Sequence, residues 1–264
     1  MSVPPLTWLY VPADRPDRVE KAIASPAHAV IVDRVDGVPA AAKGEARANL
    51  AGLLGSPREK PVYVRINAGD GADLEAVAGL ALAGVLVPKV DAPDDVVDPG
   101  APVHALIESP AGIEAAYEIA SHPLVAGISL GESDLRSQTG ALETGLDWPR
   151  GRIVNAAVAA GLSRPPQSVF PNVRDLEGLA ESCRRGRALG HLGRAAIHPD
   201  QLAVIEREYL PTPDEIERAR ATVERLEAGV GTLEGGEFVD AAMLGAARQI
   251  LAIAERYGQE AEPK

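Results

Sequence analysis

Short runs of Val, Ile and Leu alternate with longer helical patterns along this chain, and the alternation continues to about residue 206. The segments between the runs carry helix signals, such as a proline near the start of DRPDRVEKAIAS. Strands that alternate with helices are typical of βαβ units in a parallel sheet. The runs predict β-strands at residues 7–12, 29–35, 62–67, 84–90, 103–108, 125–131, 166–170 and 194–199, of which the run at 166–170 has the weakest pattern.

Eight βα units within about 200 residues predict an α/β fold of the (β/α)8 TIM barrel type. A doubly wound open sheet is the alternative, but no G-x-G-x-x-G motif follows any strand to support a dinucleotide fold. After the eighth run come one helix, a Gly-rich segment and a last helix that ends near residue 258. We therefore predict a barrel over residues 1–210 and a C-terminal helical extension or lid over 211–264, within one functional unit.

The charge balance narrows the range of partners. The chain has 38 acidic and 26 basic residues, a net charge of −12 and only 3% aromatic residues. Such a field repels phosphate backbones and anionic membranes, so neither a nucleic acid nor a membrane is an expected partner. The start of the chain lacks the basic and apolar regions of a signal peptide, which predicts a cytoplasmic protein. The single cysteine, Cys183, excludes an internal disulfide and a thiolate metal cluster and is expected to be a packing residue.

Nearly every predicted strand ends in a polar or charged residue. The active site of a barrel forms at the carboxyl ends of its strands, so these side chains are expected to share one rim. Within VHALIESP, the period-2 alternation places His104, Leu106 and Glu108 on one face. In chain order, the strand-end residues are Asp33, Asp36, Arg65, Asn67, Lys89, Glu108, Glu132, Asp134 and His198.

Two carboxylates from neighbouring strands, Glu108 and Asp134, suit a hard cation that keeps several waters and takes its other ligands from the substrate. The alternative is that both carboxylates only interact with the helix N-termini that follow them. Arg65 offers a planar fork for bidentate carboxylate binding. Its alternative is an ion pair inside the rim, with Asp33, Asp36 or Glu108.

Two further strand-end residues have possible chemical roles. His198 could act as an acid or base, although a single histidine at a strand end more often makes a structural hydrogen bond. Lys89 could form a Schiff base if it were buried and deprotonated, but no other feature of the sequence supports that role.

Nine motifs in register span about 230 residues: WLYVPADRPDR; Asp33 with DGV and Lys43; VRIN with Asp73; VLVPKV; ALIESPAGI; LGESDL; RDLEGL; AAIHPDQ; and GGEFVDAAM. Each motif alone is weak, but together they form a specific signal. On these residues the chain resembles the citrate lyase β-subunit family, also called CitE-like, within the HpcH/HpaI aldolase group.

The resemblance implies a (β/α)8 barrel, usually a homotrimer, that uses Mg²⁺ to cleave or form citryl-, malyl- or citramalyl-type CoA thioesters. The products are an acetyl-CoA-type thioester and an α-oxoacid such as oxaloacetate, pyruvate or glyoxylate. By the resemblance, Glu108 and Asp134 bind the metal and the substrate, and Arg65 grips the oxoacid. Asp240 matches an aspartate that closes over a neighbouring subunit's site and moves a proton on the acetyl carbon. Asp36 joins Arg65 and Asp240 as a catalytic candidate.

Other positions leave alternatives open. Arg15 is a candidate for holding a CoA phosphate, and solvation on a helix face is its alternative. The family usually reads Asp-Leu-Glu-Asp-Gly after the second strand, where this chain has Arg34 and Val35 in place of Leu and Glu. Gln167 stands where the family commonly has Asp. A catalytically impaired relative that binds acyl-CoA or oxoacid as a sensor or complex subunit is therefore a second reading. A pyruvate-dependent class II aldolase is a third.

Overall fold

The computed structural model describes residues 3–227 and 240–258. Contacts between Cα atoms divide the chain into a large unit, Pro4–Tyr209, and a small unit that contains the residues from Leu210 onward. The predicted Gly-rich segment lies mostly outside the described residues. In the part of the chain that is described, no helix is long and apolar enough to span a membrane.

The large unit contains one curled sheet of seven parallel strands. The strands are β1 (Thr7–Pro12), β2 (Ala29–Asp33), β3 (Val62–Arg65), β4 (Gly84–Val87), β5 (Val103–Ile107), β6 (Val125–Leu130) and β7 (Arg194–Ala196). Their order across the sheet is β6-β5-β4-β3-β2-β1-β7, so the first strand along the chain pairs with the last.

The predicted strand at 166–170 is wrong as a strand, because the segment forms only an isolated parallel bridge between Gln167 and Arg194. Two backbone hydrogen bonds support the bridge: Gln167 N donates to Gly193 O at 2.9 Å, and Ala195 N donates to Gln167 O at 3.0 Å. The reason lies in the sequence PPQSVFP. Prolines on both sides lack the N–H groups that a ladder needs.

The other side of this segment contacts β6 through a side chain. Ser168 Oγ donates a hydrogen bond to Leu130 O at 2.5 Å and accepts one from Glu132 N at 3.2 Å. The segment therefore lies between β7 and β6, at the place of the eighth strand. The α/β barrel fold is confirmed, with seven strands and one bridged segment instead of eight strands.

Helices connect most of the strands. Pro16 opens the first of them, as the sequence predicts. In the large unit they are α1 (Pro16–Ala24), α2 (Lys43–Leu54), α3 (Gly71–Val77), α4 (Pro110–Glu114), α5 (Ala116–Ala120), α6 (Glu132–Thr139), α7 (Asp147–Ala159), α8 (Leu176–Ala188) and α9 (Leu202–Tyr209). The small unit contains α10 (Pro213–Glu227) and α11 (Ala241–Arg256), which pack against each other.

Candidate functional site

Side chains at the carboxyl ends of the strands share one cavity, with a volume of 420 Å³. That volume lies within the range of small-molecule sites. Strand β5 contributes His104 and Leu106 to the wall of the cavity, and Glu108 directly after the strand lies on the same side, as the period-2 alternation predicts. The charged residues that line the cavity are Asp33, Asp36, Arg65, Glu108, Glu132 and Asp134.

Arg65, the last residue of β3, is held by two aspartates. Its Nε donates to Asp33 Oδ1 at 2.7 Å and its Nη2 donates to Asp33 Oδ2 at 2.8 Å. Nη2 also lies 2.9 Å from Asp36 Oδ2. Since a guanidinium has five N–H groups, these contacts leave the two on Nη1 without a partner among the described residues. The ion pair and a carboxylate-binding role are therefore compatible.

Backbone donors fix Asp33 itself. The N–H groups of Val35 and Gly37 donate to its two carboxylate oxygens at 3.0 and 2.9 Å. Burial disfavours the charged form of Arg65, but the hydrogen bond to Asp33 and the nearby anions raise the pKa of Arg65 above its ordinary value. The guanidinium also lies 5.1 Å from the ring centre of Tyr10. The arginine is thus permanently charged and held in one orientation.

Glu108 is a buried carboxylate with few donors around it. Its Oε1 accepts one hydrogen bond, from Lys89 N at 3.0 Å. Lys89 has a φ of 58°, in the left-handed region that non-glycine residues rarely adopt. A Cβ atom at Gly131 would lie 2.5 Å from the Cβ of Glu108, so only glycine fits beside this side chain. The conformation of Lys89 and the missing side chain at Gly131 therefore both make room for the Glu108 side chain.

The two carboxylates predicted to bind metal affect each other. Burial, together with the charge of Asp134, raises the pKa of Glu108 to about 7. Asp134 is exposed at the start of α6. A cation between them would relieve the repulsion that raises this pKa, so the donor set fits a hard divalent metal. No group of three or more His, Cys, Asp or Glu residues that could hold a metal occurs in the described ranges, so a metal held by these two carboxylates would take its other ligands from water and substrate.

A family model described as HpcH/HpaI aldolase/citrate lyase matches residues 6–199, which include all seven strands and this cavity. The chain belongs to the HpcH/HpaI aldolase/citrate lyase family. The resemblance read from the nine motifs is confirmed.

Similar proteins agree with this assignment along most of the chain. A citrate lyase subunit beta-like protein of Mycobacterium tuberculosis is 37% identical, over 92% of this chain and 93% of its own length. A (3S)-malyl-CoA thioesterase of Cereibacter sphaeroides is 34% identical, over 94% and 93%. The crystal structure of M. tuberculosis CitE with magnesium, acetoacetate and coenzyme A superposes with a TM-score of 0.82 at 34% identity, over 94% of this chain and 97% of that chain.

Several predicted site residues lie outside the cavity wall. Arg15 has 59% of its side chain exposed and pairs with Asp14 at 3.8 Å. His198 is exposed, and its Nδ1 accepts a hydrogen bond from Asp200 N at 3.2 Å, which caps a short 3-10 helix. Lys89 contacts Glu108 through its backbone N–H and not through its side chain. The structure therefore gives none of these three side chains a place in the cavity.

Asp240 belongs to the small unit, where it caps the N-terminus of α11. Its Oδ1 accepts a hydrogen bond from Ala242 N at 3.0 Å. An Asx cap is a common way to satisfy the first turn of a helix. In the described residues the second carboxylate oxygen of Asp240 makes no hydrogen bond, so it could contact another group.

The sequence analysis missed Arg150 in α7. Its Nε and Nη2 donate to the two carboxylate oxygens of Glu132 at 2.8 and 2.7 Å, and Glu143 lies 2.8 Å from Nη2. Arg150 is only 2% exposed. It fixes the Glu132 side chain at the cavity wall, and no spacing in the sequence indicates this partner.

The departure at Gln167 is a packing feature of this family member. The side chain is buried, and its Oε1 accepts hydrogen bonds from Tyr209 Oη at 2.6 Å and Arg194 Nη1 at 3.1 Å. Its Nε2 donates to Ser182 O in α8 at 3.2 Å. Because the amide is committed to these contacts, it anchors the bridged segment to the helices around the sheet.

The departure at Arg34 creates a second group of charges, which we call the Asp73 cluster (Asp73, Arg34, Arg47 and Asn67). Asp73 Oδ1 lies 2.5 Å from Arg34 Nη1 and accepts a hydrogen bond from Arg47 Nη2 at 2.6 Å. Its Oδ2 accepts from Asn67 N and Nδ2 at 2.9 and 2.7 Å. Burial opposes ionisation of Asp73, but these donors lower its pKa well below the usual range. Arg34 is thus a structural partner of Asp73.

Proposed function

We propose that this chain is a Mg²⁺-dependent carbon–carbon lyase that cleaves or forms a short β-hydroxyacyl-CoA thioester, with an acetyl-CoA-type thioester and an α-oxoacid on the other side of the reaction. The observation that carries the proposal is the buried Glu108, whose pKa is raised beside Asp134 in the same cavity as Arg65. The similarity to a (3S)-malyl-CoA thioesterase and to CitE with magnesium and coenzyme A supports this substrate class.

Glu108 and Asp134 would hold the Mg²⁺ ion. Bound there, the metal would act as a Lewis acid toward the oxygen on which negative charge develops. The protein's own contribution is to place the two carboxyl groups near each other in one cavity, and the raised pKa of Glu108 shows that its ionised form lacks compensation until a cation is bound.

Arg65 would bind the carboxylate of the oxoacid through Nη1, the nitrogen left without a protein partner in the described residues. Asp33 and Asp36 bind the Nε–Nη2 edge of the guanidinium, so little reorganisation of Arg65 is needed when substrate binds. In this proposal Asp36 acts on the reaction through Arg65. Arg15, whose exposed side chain lies outside the cavity wall, would contact a phosphate of coenzyme A where that part of the substrate extends toward solvent.

Asp240 would move the proton on the acetyl carbon, from the small unit of a neighbouring subunit in a homotrimer. Replacement Asp240→Asn keeps a good helix cap and removes the carboxylate. Turnover should fall by roughly 10²- to 10⁴-fold, with the melting temperature nearly unchanged. Co-assembly of Asp240→Asn and Glu108→Gln chains tests whether Asp240 of one subunit acts in the site of its neighbour. Activity regained in mixed oligomers supports it, and mixed oligomers as inactive as their parents contradict it.

The decisive assay incubates the protein with Mg²⁺ and citryl-, malyl- or citramalyl-CoA and follows release of the α-oxoacid. No turnover of any thioester, with metal bound and the fold intact, would sink the lyase proposal. Thioester binding without product in calorimetry would select the impaired relative. Turnover of a hydroxy-oxoacid that lacks CoA would select the class II aldolase. A cytoplasmic location stays a prediction from the sequence.

A further inference from the structure

Residues from the beginning and middle of several strands also line the cavity, so it extends below the charged rim toward the interior of the curled sheet. The interior of a barrel is normally filled by layers of packed side chains, and most of these residues belong to one such hydrophobic cluster. The residues that line this lower part, which we call the lumen pocket, are Trp8, Ile31, Leu86, His104, Val169 and Ala195.

Aromatic rings form a fixed wall of the lumen pocket. Trp8 is anchored by a hydrogen bond from Nε1 to Pro5 O at 2.9 Å. Its ring centre lies 4.8 Å from that of Tyr63 and 5.5 Å from that of His104. Since the three rings support one another, the pocket does not depend on a mobile side chain for its shape.

The lumen pocket is uncharged, in contrast to the rim. Burial lowers the pKa of His104 to about 4, so its imidazole is neutral at physiological pH. The remaining pocket residues are apolar or carry only an indole. Tyr10 marks the boundary, because its ring lies under Arg65 while it packs against the pocket below. One cavity thus combines an ionic upper end with an apolar lower end.

This division fits one molecule better than any other in the proposed reaction. The oxoacid has a carboxylate at one end and a variable substituent at the other. Coenzyme A is long and polar and must extend from the rim toward solvent. A substituent on the oxoacid carbon, by contrast, can point down into a pocket enclosed by strands. Each methylene buried there strengthens binding roughly fourfold.

We infer that the lumen pocket binds the apolar side chain of the α-oxoacid, so that the preferred oxoacid carries a branched or aromatic group larger than the methyl of pyruvate. This inference rests on the proposed function, because the oxoacid's carboxylate must be held at Arg65 for its side chain to reach the pocket.

Tryptophan fluorescence tests the inference without reference to turnover. The chain has two tryptophans. All measurements use the variant Trp148→Phe, which lacks the exposed tryptophan and leaves Trp8 as the only fluorescent tryptophan. Pyruvate and 4-methyl-2-oxopentanoate are titrated separately in the presence of Mg²⁺. We expect 4-methyl-2-oxopentanoate to bind at least about tenfold more tightly than pyruvate and to change the Trp8 emission.

A matched pair of variants checks where the side chain binds. Ala195→Leu fills the pocket, whereas Ala195→Ser keeps its volume. The ratio of the two dissociation constants should fall toward one in Ala195→Leu and stay high in Ala195→Ser. A similar weakening of both ligands in Ala195→Leu contradicts the inference, and circular dichroism excludes misfolding as the cause.

The outcomes separate this inference from the proposed function. If pyruvate binds as tightly as the larger oxoacid, the lumen pocket holds only water and the inference is overturned, while the lyase proposal stands. If the larger oxoacid binds more tightly and alters Trp8, but no thioester forms with acetyl-CoA, the pocket stands and the lyase proposal fails. If neither oxoacid binds, the inference is overturned.

Discussion

Two buried carboxylates in the large unit, Asp73 and Glu108, differ in how the protein treats their charge. Asp73 is surrounded by donors from Arg34, Arg47 and Asn67, and its pKa is lowered. Glu108 accepts one backbone hydrogen bond and lies near a second carboxylate, and its pKa is raised to about 7. Both follow the same rule that a buried charge needs a partner.

The two sites differ in whether the protein itself supplies a cation that pairs with the buried carboxylate. The Asp73 cluster contains its own cations, so the charge of Asp73 is balanced without a ligand. In the described residues no cation pairs directly with Glu108, and the nearby charges of Arg65 and Lys89 only partly offset the effect of burial on its pKa, so a bound cation would stabilise its ionised form. Arg47 and Arg65 both contact their aspartates through Nε and Nη2, and both keep Nη1 without a partner in the described residues, but only Arg65 lines the cavity. An unmet charge requirement in a cavity therefore marks the functional region better than charge density does.

The replacement Glu108→Gln should have the largest effect on the difference between the Glu108 site and the Asp73 cluster. Loss of a metal ligand should lower kcat/KM at least roughly a thousandfold, equivalent to several kcal/mol.

The metal-free Glu108→Gln variant should nevertheless be more stable than the wild type at pH 8 by about 1–3 kcal/mol. The reason is that the pKa of Glu108 is about 7 in the folded protein against an ordinary value of 4.5, so the unfolding free energy of the wild type falls as pH rises between these two values. Urea unfolding at pH 8 and a thioester assay check both parts. A less stable variant would contradict this account of Glu108.

In the Asp73 cluster the same type of change should have the opposite effect on stability. Asp73→Asn leaves the buried Arg34 without its anion and should lower the unfolding free energy by about 3–5 kcal/mol. Asp70→Asn is the matched control, because Asp70 also contacts Arg47 but is a third exposed and can still cap α3 as asparagine. It should cost less than about 1 kcal/mol. Equal losses in the two variants would remove the distinction between them.

Arginine-to-lysine replacements sharpen the comparison between the regions. Arg65→Lys loses the planar fork and should weaken catalysis by roughly a hundredfold, mainly through poorer oxoacid binding. Arg47→Lys keeps a charge near Asp73 and should reduce thermal stability without this loss of catalysis. Steady-state kinetics and thermal melts on the two variants measure the contrast. A large catalytic defect in Arg47→Lys would place the Asp73 cluster within the active site.

Acid titration should give the smallest of these effects. Since the folded pKa of Asp73 lies below its usual value, the stability that its charge provides is present above about pH 4 and is lost as pH falls further. The unfolding free energy of the wild type should therefore decrease more steeply below pH 4 than that of Asp73→Asn. Parallel curves from chemical unfolding at several pH values would show that Asp73 does not contribute to acid sensitivity.

The carboxyl-end positions of Asp33, Arg65 and Glu108 were predictable from the sequence alone. Parallel strands place their carboxyl ends on one edge, and the period-2 alternation decides which side chains face inward. The family was also readable, because its motifs keep their order along the chain. The strand at 166–170 was the exception, since its prolines remove the N–H groups that a ladder needs.

Only the tertiary structure decided which charges are paired. Asp33 and Arg65 are 32 residues apart, and Glu132 and Arg150 are 18 residues apart, so no local pattern joins them. Ser168 contacts Leu130 across 38 residues, and this contact connects the bridged segment to β6. The sequence thus determined which residues carry the chemistry and at which edge they lie. Their ionisation depends on burial and on distances between remote segments, which only the folded chain sets.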